Sequence, residues 1–214
     1  MTKIQVYVDV LMCMCWLAVY VCVLISSLKN SFPAMAPVSC LIIVPWEFAI
    51  TVQGLIRPTV FNYGMIAHLA WSLLEFSIIF VILFHIRYYS RQKTVFYLIF
   101  VLLNTILMSL IFLLPKGQIY TSYINTIIGV SVWLFYTARV NYPRTRLNAA
   151  IFILKLIADV LGFMAYYDYD AVVLIMSIVL PIIDTAHLWI FFRKKSQHKF
   201  SNFRLNRNRG DHRI

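Results

Sequence analysis

The chain has 214 residues, 62% of them hydrophobic and 13% charged, with a formal net charge of +11. Soluble domains average about 45–50% apolar and about 25% charged, so a water-soluble fold of this size has no interior large enough for the excess. The composition excludes an ordinary soluble domain and points to the bilayer as solvent. Short connections between the apolar runs point to one domain.

Seven apolar stretches follow in chain order: Ile4–Ser27, Pro37–Leu55, Gly64–Phe84, Thr94–Leu114, Ile119–Thr137, Leu147–Tyr166 and Val172–Phe192. Each is close to the ~20 residues a helix needs to cross about 30 Å of hydrocarbon. Backbone groups in lipid must pair within their own segment, so these runs are expected to be helices, and no period-two alternation suggests a barrel. The expected fold is all-α: a polytopic membrane protein with a seven-helix bundle over residues 1–193 and a basic tail without regular structure over 194–214. Ala34-Met35-Ala36 fits a signal-peptidase site, but the preceding run is longer than a signal core, which favours a retained span.

The basic residues set the expected orientation. Lys3, Arg57 and Lys116 fall on one side, together with Asp168 and Asp170. On the other side are Lys29, Arg87, Arg91, Lys93, Arg139, Arg144, Arg146 and the tail from Arg193 to Arg213. The positive-inside rule then places the N-terminus outside and the C-terminus in the cytoplasm. Basic residues crowding helix ends fit anionic headgroups, so no nucleic-acid partner is expected. The lipid bilayer is one partner. The membrane is the endoplasmic reticulum in a eukaryote or the plasma membrane in a bacterium. Cys13, Cys15, Cys22 and Cys40 read as small apolar residues and match no metal-binding spacing.

Function must be read from the polar residues inside the spans, because charge at mid-bilayer costs about 2.5–3.5 kcal/mol on insertion scales. Lys155 and Asp159 are four apart and are expected to pair with each other. Asp9 lies near the outer end of its span, within reach of water. Glu47, Glu75 and Asp184 remain, each near the middle of its span and so at similar depth; if those helices are neighbours, the acids converge on one cavity. Burial disfavours the charged form of a lone carboxyl and a like charge disfavours it further, so at least one should carry a proton at neutral pH. Such an acid in a dry interior is a proton donor. The opposing reading is that each acid only hydrogen-bonds a neighbouring helix.

Aromatic and imidazole side chains accompany the acids. Trp46 precedes Glu47; His68, Trp71 and Glu75 form one helical stripe; Asp184 and His187 form another; Trp133 and Tyr136 lie one turn apart. Aromatic faces stabilise cations by about 2 kcal/mol or more when desolvated. Trp46, Trp71, His68, His187, Trp133 and Tyr136 are the candidate substrate-binding residues. Pro45 and Pro181 are expected to kink their helices beside the acids.

Pro45-Trp46-Glu47-Phe48, Trp71 through Glu75 and Pro181-Ile182-Ile183-Asp184, in a small chain of seven spans, resemble the integral-membrane terpene cyclases. These are the paspaline- and meroterpenoid-type enzymes of fungi and bacterial relatives acting on indole sesquiterpenes. The resemblance implies a metal-independent cyclase that protonates a terminal epoxide or alkene of a prenylated substrate and guides carbocation cyclisation. It implies Glu47, Asp184 and Glu75 as catalytic acids, with Glu47 or Asp184 donating the proton. No metal or cofactor is expected. The implied partners are a lipophilic prenylated substrate and other enzymes of the same pathway. The competing reading is a proton-coupled small-molecule transporter, because buried acids and histidines also build proton relays.

Overall fold

The computed structural model describes residues 3–56, 63–85, 95, 99, 102–104, 106, 107, 110, 117–140 and 148–210. Six long helices run through them: α1 (Lys3–Asn30), α2 (Pro37–Ile56), α3 (Tyr63–Phe80), α4 (Gly117–Arg139), α5 (Ala149–Tyr166) and α6 (Ala171–Gly210). One turn of wider π geometry, Val81–His85, continues α3. The described residues are helix and short connections, as the absence of alternation predicts. Among the described residues, four stretches are long and apolar enough to cross a membrane: Lys3–Asn30, Ile66–Leu83, Ala149–Tyr166 and Ala171–His198. Pro37–Thr51 is a shorter apolar helix. Of the fourth expected span, Val95, Ile99, Leu102, Leu103, Asn104, Ile106, Leu107 and Leu110 are helical. Its remaining residues lie outside the described set, as do Arg57, Arg87, Arg91, Lys93, Lys116, Arg144, Arg146 and Arg213.

The polarity of the helices is inside out. On α3 the exposed stripe is Ile66, Leu69, Leu73, Phe76 and Phe80, and the buried one holds Trp71, Ser72 and Glu75. On α5, Ile153, Ile157, Val160 and Met164 face outward while Lys155 and Asp159 are buried. On α6, Ile175, Ile178, Ile182 and Trp189 are exposed while Ser177, Asp184 and His187 are buried. Water would drive the opposite arrangement; an apolar solvent selects this one.

The helices close into a ring. α1 packs on α3 and α5, α3 on α2, α2 on α4, α4 on α6, and α6 on α5. Asn104 reaches α2 from outside this set, donating its amide to the Ile42 carbonyl at 3.0 Å. Where α2 meets α4, Gly129 lets the backbones approach: a Cβ there would lie 2.8 Å from the Ile43 side chain. The Ser39 hydroxyl donates to the Gly129 carbonyl at 2.7 Å across the same contact.

Both ends of the ring are tied by polar contacts. At one end, Gln5 donates to Asp168, Tyr166 to Asp9, and Tyr120 to Asp170, each at 2.8–2.9 Å. Asp170 also caps α6 by accepting from the Val173 amide, and Asn148 caps α5 by accepting from Ala150. At the other end the connection from Pro33 to Pro37 turns inward and is buried. Buried backbone needs partners. The Ala34 amide donates to the Ser27 hydroxyl, the Trp133 indole donates to the Ala34 carbonyl at 3.2 Å, and the Tyr136 hydroxyl donates to the Pro33 carbonyl at 2.8 Å.

The chain beyond Lys194, expected to lack regular structure, continues α6 as helix to Gly210. No proline or glycine falls between Pro181 and Gly210, so the sequence offers nothing to stop the helix. Pro45 and Pro181 lie within continuous helices.

Candidate functional site

Two polar clusters occupy opposite walls of the ring. The first joins α2 and α3. His68 Nδ1 lies 2.5 Å from Glu47 Oε2. The imidazole sits between two indoles, its centroid 5.0 Å from both Trp46 and Trp71, each edge to face. Trp46 is fixed in turn by its indole N–H, which donates to the Thr121 hydroxyl of α4 at 3.0 Å. One turn beyond Trp71, Glu75 is fully buried, and among the described residues no cation pairs with its carboxyl oxygens. Glu47 and the Tyr20 phenol of α1 are its polar neighbours within electrostatic range. The Trp71 indole N–H and the Ser72 hydroxyl are also buried without partners.

The second cluster joins α4, α5 and α6. Lys155 of α5 forms an ion pair with Asp184 Oδ1 of α6, and both side chains are essentially inaccessible. The Lys155 ammonium also lies 5.6 Å from the Trp133 ring centroid. His187, one turn after Asp184, meets the Thr137 hydroxyl at 2.8 Å and packs against Trp133 and Phe152 at 5.3 and 4.5 Å. Asp159 lies close to Lys155, with the Trp16 indole of α1 beside it. Asp159 Oδ2, Asp184 Oδ2 and His187 Nδ1 are buried and have no hydrogen-bond partner among the described residues.

These side chains point into the ring. Lys155 and Phe152 of α5 meet Trp133 of α4, and those two helices are not neighbours around it. Cys13 of α1 lies within electrostatic range of Glu47 of α2, again across the ring. α1 links the walls: Trp16 stands beside Asp159, Tyr20 beside Glu75, and their two rings lie 5.8 Å apart.

The sequence-based expectations meet this arrangement unevenly. Glu47, Glu75, His68, Trp46 and Trp71 come together as expected from their stripes. Asp184 does not join the other two acids; it pairs with Lys155 on the facing wall. Lys155 therefore does not have Asp159 as its sole partner, because a residue one turn along the same helix competes with one on the packed neighbour. His187 and Trp133 belong to the Asp184 cluster. Tyr136 donates its hydroxyl to the Pro33 carbonyl and stacks on Phe32 at 6.5 Å. Sequence reasoning missed Trp16, Tyr20, Phe152 and Asn125. Asn125 is fully buried with both amide atoms unpartnered, and an amide inside an apolar span was the signal available.

No His, Cys, Asp or Glu grouping able to hold a metal occurs among the described residues. Comparison with protein-family models, with curated proteins and with solved structures gave no match.

Proposed function

We propose that the protein is a multi-pass membrane enzyme of seven spans, its N-terminus outside and its C-terminus cytoplasmic, that cyclises a lipophilic prenylated substrate by proton transfer. The inside-out polarity of α3, α5 and α6 supports the membrane setting. The uneven split of basic residues supports the orientation. The fourth expected span supplies the seventh crossing.

One observation carries the catalytic reading: Glu75 is fully buried, its polar neighbours among the described residues are the Tyr20 phenol and Glu47 and not a cation, and it lies one turn from Trp71 of the Trp46–His68–Trp71 cluster. An isolated carboxylate away from water is far more costly than the neutral acid. Glu75 is thus the group best placed to hold and release a proton, ahead of Glu47 and Asp184, which are held by His68 and Lys155. Glu47 and His68 form the adjoining acid–base pair. Indole faces nearby stabilise a cation without adding a nucleophile that would trap it. The resemblance to integral-membrane terpene cyclases agrees with this inventory, and an epoxide, easier to protonate than an alkene, is the favoured substrate end.

The test is conversion. Membranes carrying the protein are supplied with a panel of epoxy-prenyl aromatics, and products are followed by mass spectrometry. Cyclised product that disappears in Glu75→Gln at unchanged expression supports the reading. A silent wild type, with a substrate-driven pH change in reconstituted vesicles, would establish proton-coupled transport instead.

A further inference from the structure

The outer face of α6 changes character at one point. It exposes Ile175, Ile178, Ile182 and Trp189 in helical register, and one turn after Trp189 the same face presents Arg193. We infer that this face binds an anionic phospholipid of the cytoplasmic leaflet, with Arg193 holding the lipid phosphate and the stripe below it carrying an acyl chain. The inference needs the membrane setting and orientation proposed above, and not the cyclase reading.

Three successive cations have different surroundings here. Each residue of a helix turns by about 100° from the last, so Arg193, Lys194 and Lys195 leave α6 in three directions. Lys194 reaches sideways to α4 and donates to the Val140 carbonyl at 2.7 Å, at the end of that helix where a cation is favoured. Lys195 lies 6.0 Å from the ring centroid of the buried Phe191, which packs on Phe152 of α5. Arg193 turns to the outer face. Its guanidinium lies 5.3 Å from the ring centroid of Trp189, which is 60% exposed. That cation–π contact holds the guanidinium in place before a phosphate meets it, which lowers the ordering cost of binding.

Charge and polarity identify the occupant. No Asp or Glu lies between Asp184 and Asp211, whereas seven Lys or Arg do. Among the described residues, ion pairs join Glu47 to His68 and Asp184 to Lys155, and neither reaches Arg193. Ser196 and Gln197 are exposed about one turn beyond it and bring a hydroxyl and an amide able to donate. A guanidinium flanked by neutral donors suits a phosphate. The approach to it is apolar for about 20 Å along the helix, from Ile175 to Trp189. Thr185 on that stripe turns its hydroxyl back to the Pro181 carbonyl at 2.8 Å, so its polar group is satisfied within the helix. A phospholipid has the same order, acyl chain and then phosphate. A nucleic acid or an acidic protein would match the cation and leave the stripe unused.

Trp189 supplies the measurement. Trp16, Trp46, Trp71 and Trp133 are buried, so contact quenching from the bilayer reads Trp189. The full chain is reconstituted in phosphatidylcholine vesicles that contain, at equal mole fraction, either acyl-brominated phosphatidylserine or acyl-brominated phosphatidylcholine. The serine lipid should quench more strongly, with a relative affinity about fivefold higher, and the preference should fall as salt is raised. Arg193→Gln should bring the two lipids to parity. Lys195→Gln should change the preference by less than about twofold, because its charge leaves the far side of a helix about 10 Å wide, beyond a Debye length. Both residues are exposed, so both variants should fold. Equal quenching by the two lipids in the wild type overturns the site. So do equal losses in Arg193→Gln and Lys195→Gln, which mean a diffuse attraction in which any cation counts. A lipid preference that survives Trp189→Phe places the contact elsewhere and also overturns it. Competition by inorganic phosphate beyond that of chloride at equal ionic strength would assign Arg193 to a soluble anion instead.

Discussion

His68 Nδ1 approaches Glu47 Oε2 to 2.5 Å, clamped between the edges and faces of Trp46 and Trp71. The contact crosses from α2 to α3 and fixes the register of two helices whose other contacts are mostly apolar. Removing one member of a buried pair strands the other, which costs about 3–5 kcal/mol. The His68 side chain is 17% exposed, so the lower end applies. His68→Leu should therefore lower unfolding stability in detergent by about 3 kcal/mol. His68→Gln keeps a donor for Glu47 and should cost less than half as much. Equal losses in the two variants would mean that the hydrogen bond contributes little and ring packing contributes most.

Glu75 predicts the reverse relation between stability and activity. Its polar neighbours are the Tyr20 phenol and Glu47, and the carbonyl oxygen of Glu75→Gln can still accept from Tyr20. Thermal unfolding should shift by less than about 1 kcal/mol equivalent, while turnover is lost. A large drop in stability would show that Glu75 is a structural tie. The paired measurement separates chemistry from folding, which activity alone does not.

How far the sequence led can be judged from these same residues. Hydropathy alone located the six long helices of the described residues, because apolar runs of bilayer length bounded by Pro, Asn and basic residues have few other solutions. It also picked out Glu47, Glu75 and Asp184, all buried, because ionisable groups in spans are costly enough to be few. Pairing was not legible. Lys155 has Asp159 one turn away, yet its ion pair is with Asp184, 29 positions on; that choice depends on how α5 meets α6. Nor was the inward turn of Pro33–Pro37. Its two prolines mark a connection but not its depth; Ser27, Trp133 and Tyr136 supply the partners that its buried backbone needs.

The end of α1 holds a local strain that mutation can release. Ser31 follows the helix with φ 47°, in the left-handed region that penalises a side chain with a Cβ. This is the position past a helix end where glycine is preferred. Ser31→Gly should raise stability by about 1 kcal/mol, read as a higher unfolding midpoint with activity unchanged. A neutral or destabilising result would mean that the Ser31 side chain makes a compensating contact.

The α2–α4 contact gives the sharpest packing prediction. A Cβ at Gly129 would lie 2.8 Å from Ile43 Cδ1 and 2.9 Å from Cγ1, too close without movement. Small residues at such crossings let two backbones meet, and the Ser39–Gly129 hydrogen bond depends on that approach. Gly129→Ala should push the helices apart and cost about 1–3 kcal/mol despite alanine's better helix propensity. Ile43→Val removes the Cδ1 atom and alone should cost about 0.5–1.5 kcal/mol. Combined, the two should cost less than their sum by about 1 kcal/mol, because the shorter side chain vacates part of the space the new methyl needs. Strict additivity in this double-mutant cycle would show that Gly129 is constrained by the Ser39 backbone contact and not by Ile43.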